Sequence, residues 1–180
     1  VPDPAGPDQL DPLVCRVVDA AARNGVHLGV VVLDSSTHTA AEAAMALGVD
    51  RGQIVKSLVF VAPGGLAEHV PVICLVAGTN RVDLARLAGV VGEPTIRRAT
   101  AHEARELTGF PIGGIPPLGH ARTVRVVMDP DLERYAIVWA AAGIDRAVFP
   151  IAPAALRDLT DAIVAPVADA SAQSHPDGRR

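Results

Sequence analysis

Lys56 is the only lysine in this 180-residue sequence, and the other fifteen of its 16 Lys and Arg side chains are arginines. Arginine serves wherever a general positive charge is enough, so the single lysine marks a place where a compact ammonium is wanted and a planar guanidinium is not. In an extended segment Ile54, Lys56, Leu58 and Phe60 share one face, and Val55, Ser57, Val59 and Val61 share the other. Both faces are mostly apolar. A lysine so placed has two uses: it guards an edge strand against aggregation, or it directs its charge at a ligand from within a pocket.

A second feature is the run Gly109-Phe110-Pro111-Ile112-Gly113-Gly114-Ile115-Pro116-Pro117-Leu118-Gly119-His120. It is too poor in charge to hold a metal and lacks the Lys-Ser/Thr ending of a phosphate loop. Glycine removes the side chain that keeps a ligand from the backbone, and proline fixes the neighbouring turns. Such a loop is either a rigid turn or a set of aligned N–H groups that receives a carbonyl or an oxyanion. His120 at its end is open to proton transfer or to packing. There is no Gly-x-Ser-x-Gly nucleophile elbow, and Cys15 and Cys74 carry no signature of an activated thiol. The remaining histidines, His27, His38, His69, His102 and His175, lack the paired spacing of a metal site, so neither metal nor cofactor is expected.

Bulk properties narrow the field. A net charge of -4 and a pI near 5.8 exclude a protein that coats DNA or RNA through overall positive charge, although Arg97, Arg98, Arg105, Arg122 and Arg125 leave room for a local basic face. Aromatics at 3% supply too few rings for a base-stacking platform. The N-terminal residues show no basic start followed by an apolar run, no apolar stretch approaches the ~20 residues of a membrane span, and two cysteines make no disulfide framework. A cytoplasmic protein is the expectation.

The elements that must position these residues follow from periodicity. Leu10, Leu13, Val14, Val17, Val18 and Ala21 form one stripe of a helix stopping at Asn24-Gly25, and the valine-rich run 27–33 reads as a buried strand. An alanine-rich helix capped near Thr39 runs to Leu47 and ends at Gly48. Segments 54–61 and 70–77 read as central strands joined through Pro63-Gly64-Gly65. Helices follow near 82–88 and 101–107 with a short strand near 95–97 between them, then strands at 123–128, 136–140 and 148–151 and a last helix after Pro153. Residues 1–8 and 171–180 read as tails, which leaves 9–170 as a single compact domain. Hairpins mixed with βα units predict an α/β (α+β) fold, a mixed sheet flanked by helices.

Three segments together resemble the YbaK family, the prolyl-tRNA synthetase-associated editing domains: His38-Thr39-Ala40-Ala41-Glu42-Ala43-Ala44, Gln53-Ile54-Val55-Lys56-Ser57-Leu58, and Gly113-Gly114-Ile115-Pro116-Pro117-Leu118-Gly119-His120. The resemblance spans roughly residues 10–167. It implies a partly barrel-like mixed sheet and hydrolysis of the ester of tRNA mischarged with a small amino acid of the Ala, Cys, Ser or Thr class. It further implies Lys56 near the 3′-terminal adenosine, Gly113 and Gly114 beside the scissile ester, and Thr39, Ser57, Pro116, Gly119 and His120 shaping the substrate site. The partner implied is the acceptor end of an aminoacyl-tRNA, with a synthetase as a further one. Ala140-Ala141-Ala142-Gly143 stands where some cysteinyl-tRNA-clearing relatives carry Ser-Gly-Gly, so the resemblance does not transfer an amino-acid preference. Two other readings use the same pocket: a non-catalytic module that binds aminoacyl-tRNA ends or a synthetase, and a binder of small adenosine nucleotides.

Overall fold

The computed structural model describes residues 10–62 and 71–169. The expected tails and the Pro63-Gly64-Gly65 turn lie outside the described residues. Helix α1 (Pro12–Ala22) opens on an Asp11 cap whose carboxylate accepts the Leu13 N–H, with Pro12 at the first helical position where its missing N–H costs nothing. Leu10 therefore falls outside the helix. Helix α2 (Ala40–Leu47) begins at Thr39 with a reciprocal cap: the Thr39 hydroxyl accepts the Glu42 N–H, and the Glu42 carboxylate accepts the Thr39 N–H. Gly48, at φ 67°, ends it in the left-handed conformation.

The strands form two sheets. One has the order β1 (Val31–Val32), β7 (Ala147–Ile151), β6 (Val138–Ala141), and the other the order β4 (Arg97–Arg98), β2 (Val55–Val61), β3 (Val72–Ala77), β5 (Arg125–Met128), β8 (Ile163–Val164). Pairing is antiparallel except for β3 with β5 and β5 with β8, so the expected mixed character is present. The sheets pack on each other through the core and share, among the described residues, one parallel main-chain bridge, Ile54 to Trp139, and no closed barrel results. The valine-rich run 27–33 contributes only Val31 and Val32 to a named strand, and the Leu33 N–H extends the pairing to the Arg146 carbonyl at 2.7 Å.

Both faces of β2 and β3 are apolar because both are covered. Ile73, Leu75 and Ala77 join Val55, Val59 and Val61 in the main core with Phe110, Phe149 and Met128. Val72, Cys74 and Val76 join Phe60 in a second core beneath α3 (Leu84–Val91). A third cluster, with Leu33, Ala43, Leu47 and Trp139, seats α2 on the smaller sheet. Helix α4 (Ala101–Thr108), capped by Thr100 with Glu103, and helix α5 (Pro153–Thr160), started by Pro153, complete the layers.

Asp129 secures the C-terminal segment. Its carboxylate, 1% exposed, accepts the N–H groups of Val167 at 2.9 Å and Ala168 at 2.7 Å through Oδ2, and that of Asp131 at 3.0 Å through Oδ1.

Candidate active site

The seam between the sheets opens because β4 ends early. The Val59 carbonyl accepts the Ala99 N–H at 2.9 Å, which fixes the odd-numbered residues of β2 with their main-chain groups facing β4. One residue later Thr100 caps α4, so the chain leaves the ladder and Ser57 is left facing the seam with no strand opposite it. On its other side the seam closes at the Ile54–Trp139 bridge. Between these limits lies a cavity of about 400 Å³.

Its lining combines apolar with cationic side chains. Val59, Ala99, Ala104, Ile115 and Ala147 are among the first, and Arg51, Lys56 and Arg98 are the second. Lys56 donates a short hydrogen bond to the carbonyl of Asn80, whose side-chain amide is anchored on Asp131 Oδ2 at 2.8 Å. Arg51 Nε donates to the Gly78 carbonyl at 3.1 Å, and Arg98 lies over the Phe60 ring with its guanidinium carbon 5.6 Å from the centroid. Gly78 admits no side chain, since a Cβ there would lie 2.3 Å from the Arg51 carbonyl oxygen. The Ser57 hydroxyl is buried with no partner among the described residues. A buried hydroxyl without a partner is costly, and a ligand group is one way to satisfy it.

Burial, and then the guanidinium groups of Arg51, Arg98 and Arg81, push the Lys56 ammonium down from 10.5 to about 8. Below pH 8 the side chain is charged in both the folded and the unfolded chain, and the fold bears the full cost of desolvating it. Between pH 8 and 10.5 the folded chain loses its proton first and that cost fades. Lys56→Met should therefore raise Tm at pH 7, by an increment that shrinks as the pH climbs to 10.5. Melts at pH 7, 9 and 10.5 measure it, and an increment flat across that range would refute the electrostatic origin.

The glycine-proline loop divides. Gly113, at φ 90°, lines the cavity, and no hydrogen bond occupies its N–H among the described residues. Gly114 sits behind it, where a Cβ would lie 2.6 Å from the Ile144 backbone; its N–H donates to the Pro111 carbonyl and its carbonyl accepts the Gly143 N–H. Pro116, Gly119 and His120 do not line the cavity. The Pro116 carbonyl is bonded to His120 Nε2 at 2.8 Å, Gly119 packs on α1, and His120 borders a separate polar hollow with Arg23, Asn24 and Thr160. Burial holds the His120 imidazole below its ordinary 6.5, opposed by that bond to Pro116. Thr39 and Ser57, by contrast, line the same cavity as Lys56 and Gly113.

Of the five arginines considered as a basic face, Arg98 alone is at the cavity. Arg97 pairs with Glu103 at 2.7 Å, Arg122 with Glu106 at 3.5 Å and Arg125 with Glu93 at 3.1 Å. Arg51, Gly78, Asn80 and Asp145 were not anticipated, since they lie in short connecting segments whose direction no local pattern encodes. Burial pushes the Cys74 thiol up to about 12, which makes it a core residue and no nucleophile. No group of three or more metal-ligating side chains exists among the described residues, and no helix there is long and apolar enough to cross a membrane.

Fold and cavity together define an α/β domain with a cavity lined by apolar residues and by Arg51, Lys56 and Arg98. The chain belongs to the aminoacyl-tRNA editing domain family, whose model matches residues 34–159. A solved structure described as that of a candidate trans-editing enzyme for prolyl-tRNA synthetase is 48% identical, with a TM-score of 0.81 over 89% of this chain and 99% of that one. An Enterococcus faecalis protein whose name proposes it as a Cys-tRNA(Pro)/Cys-tRNA(Cys) deacylase is 27% identical over 128 residues, 71% of this chain and 76% of its own length. The proline–tRNA ligase of Nitratidesulfovibrio vulgaris strain DP4 is 34% identical over 96 residues, which are 53% of this chain and 16% of that synthetase.

Proposed function

We propose that this protein is a trans-acting deacylase that hydrolyses the ester of tRNA mischarged with a small amino acid. The observation that carries the reading is the placement of the single lysine, Lys56, in one cavity with the unpartnered Ser57 hydroxyl, flanked by Arg51 and Arg98. An aminoacyl ester is already activated, so catalysis needs a positioned nucleophile and donors for the tetrahedral oxyanion, and no enzyme nucleophile. Lys56 holds the terminal adenosine or its phosphate. The Gly113 N–H and the Ser57 side faced by the seam receive the ester carbonyl, a task the Gly114 N–H does not share because it is spent within the loop. Water adds to the carbonyl carbon, the bond to the ribose oxygen breaks, and free amino acid and tRNA with a restored hydroxyl leave. The role of Gly114 is to let Ile144 approach and so hold Gly113 at the cavity wall.

The test is amino-acid release from tRNAs charged with alanine, cysteine, serine and threonine. Release from at least one, at a rate proportional to enzyme, supports the reading; binding of all four without release overturns it in favour of a recognition module. Arg51 and Arg98 supply further anion contacts in this reading. Arg51→Ala and Arg98→Ala should each raise KM and flatten the fall of log kcat/KM with log salt by roughly 0.7 per lost phosphate contact. An unchanged slope in both variants would remove them from the tRNA interface.

A further inference from the structure

The ligand proposed above carries two charges of opposite sign. Phosphates lie on the nucleotide side of the ester, and the α-ammonium lies on the other, one carbon removed from the carbonyl that is attacked. The cavity lining carries both signs of charge. Against Arg51, Lys56 and Arg98 it presents one carboxylate, Asp145, with no hydrogen bond or ion pair to that carboxylate among the described residues. Asp145 lies in the turn between β6 and β7, and its Cβ is 3.6 Å from the point a Cβ on Gly113 would occupy. It is thus beside Gly113, the loop residue to which the carbonyl is assigned above.

The backbone of this turn is fixed. The buried Thr37 donates both its N–H, at 3.0 Å, and its hydroxyl, at 2.8 Å, to the Asp145 main-chain carbonyl. Both of Thr37's donors are used on one acceptor, which ties the β6–β7 turn to the entry of α2. The carboxylate itself takes no part in this tie. A residue held by its main chain, with its charged side chain left over at a cavity wall, is suited to binding.

We propose that Asp145 receives the α-ammonium of the aminoacyl group and so aligns the ester carbonyl with the Gly113 N–H, which makes it a positioning and specificity residue for substrates with a free amine. The inference rests on the deacylase reading. It predicts that the protein discriminates against esters whose amine is blocked, because acylation removes the charge and adds bulk beside Gly113.

The experiment compares wild type and Asp145→Asn on whichever of the four aminoacyl-tRNAs wild type clears fastest, and on the same tRNA after N-acetylation of its amino acid. Asp145→Asn keeps the side-chain size and leaves the main-chain carbonyl that Thr37 needs. Wild type should prefer the free amine by at least about tenfold, the range expected for a hydrogen bond to a charged group. Asp145→Asn should lose that preference by slowing on the free amine, with its kcat/KM on the N-acetylated ester unchanged. A parallel fall on both esters, as expected of a general base or of a structural residue, overturns the proposal. So does a wild type without preference, or a variant equal to wild type on both. Wild type inactive on all four aminoacyl-tRNAs would instead be a failure of the deacylase reading, and the two failures are thereby distinguished.

Discussion

Lys56→Ala should lower kcat/KM for deacylation by about a hundredfold or more while Tm at pH 7 stays equal to wild type or rises. The lost interaction is a charge-assisted contact in a partly desolvated site, where removing one partner costs about 3 kcal/mol, and each 1.4 kcal/mol is a factor of ten. Stability is spared because the ammonium is held down at about 8 by burial and by three nearby guanidinium groups, so the fold gains from its removal. Lys56→Arg is the informative companion. It preserves charge, yet it places a wider planar group beside Arg51 and Arg98, so it should recover less than a tenth of the lost rate. Steady-state kinetics with a thermal melt of each variant decides the matter; a folded Lys56→Ala enzyme of full activity would overturn the assignment of the site.

Asp129→Ala should have the largest effect on stability. One buried carboxylate satisfies three backbone N–H groups, two of them in the segment carrying Val167 and Ala168, and alanine leaves all three without an acceptor. With each orphaned buried group costing about 1–3 kcal/mol, the loss is roughly 3–5 kcal/mol, or on the order of 10 °C in Tm for a domain of this length. The damage should spread to Asp83, whose N–H donates to the Val167 carbonyl and whose side chain caps α3. Melting by circular dichroism measures the shift, and hydrogen exchange at 163–169 locates it. A change below 2 °C would mean that water replaces the carboxylate at little cost.

What could be read in the sequence depended on whether a feature was local. A cap near Thr39 and the Gly48 stop are written within ten residues, and the structure has both, with Glu42 as the reciprocal partner of Thr39. Segment 54–61 was legible as a strand covered on both faces because alternation there fails in a way only burial explains, and β2 occupies Val55–Val61. Lys56 stood out through composition, which needs no geometry. The glycine-proline loop was legible as a tight turn, but Gly/Pro patterning does not say which half faces a cavity. The structure turns Gly113 inward to the seam and folds Pro116 to His120 back on α1. Strand β8 had no signal, since two exposed residues, Ile163 and Val164, are too few for a period. Arg51, Asn80 and Asp145 were beyond reach for another reason: their role is set by pairing across 24 to 108 residues of chain, as in Lys56 to Asn80 and Thr37 to Asp145.

The seam has a consequence for how the protein comes together. Its walls draw on Thr37, Lys56, Gly78, Arg98, Gly113, Trp139 and Asp145, and they meet only when the two sheets have docked. Contacts of such long separation form late, after the loop-closure entropy of nearly the whole domain has been overcome. The binding pocket is therefore absent from partly folded chains, and ligand affinity reports on the completed fold alone. An occupant bridging the cationic side chains and Asp145 would act as a third fastening between the sheets, beside the Ile54–Trp139 bridge and the main core, and would slow their separation more than it speeds their docking.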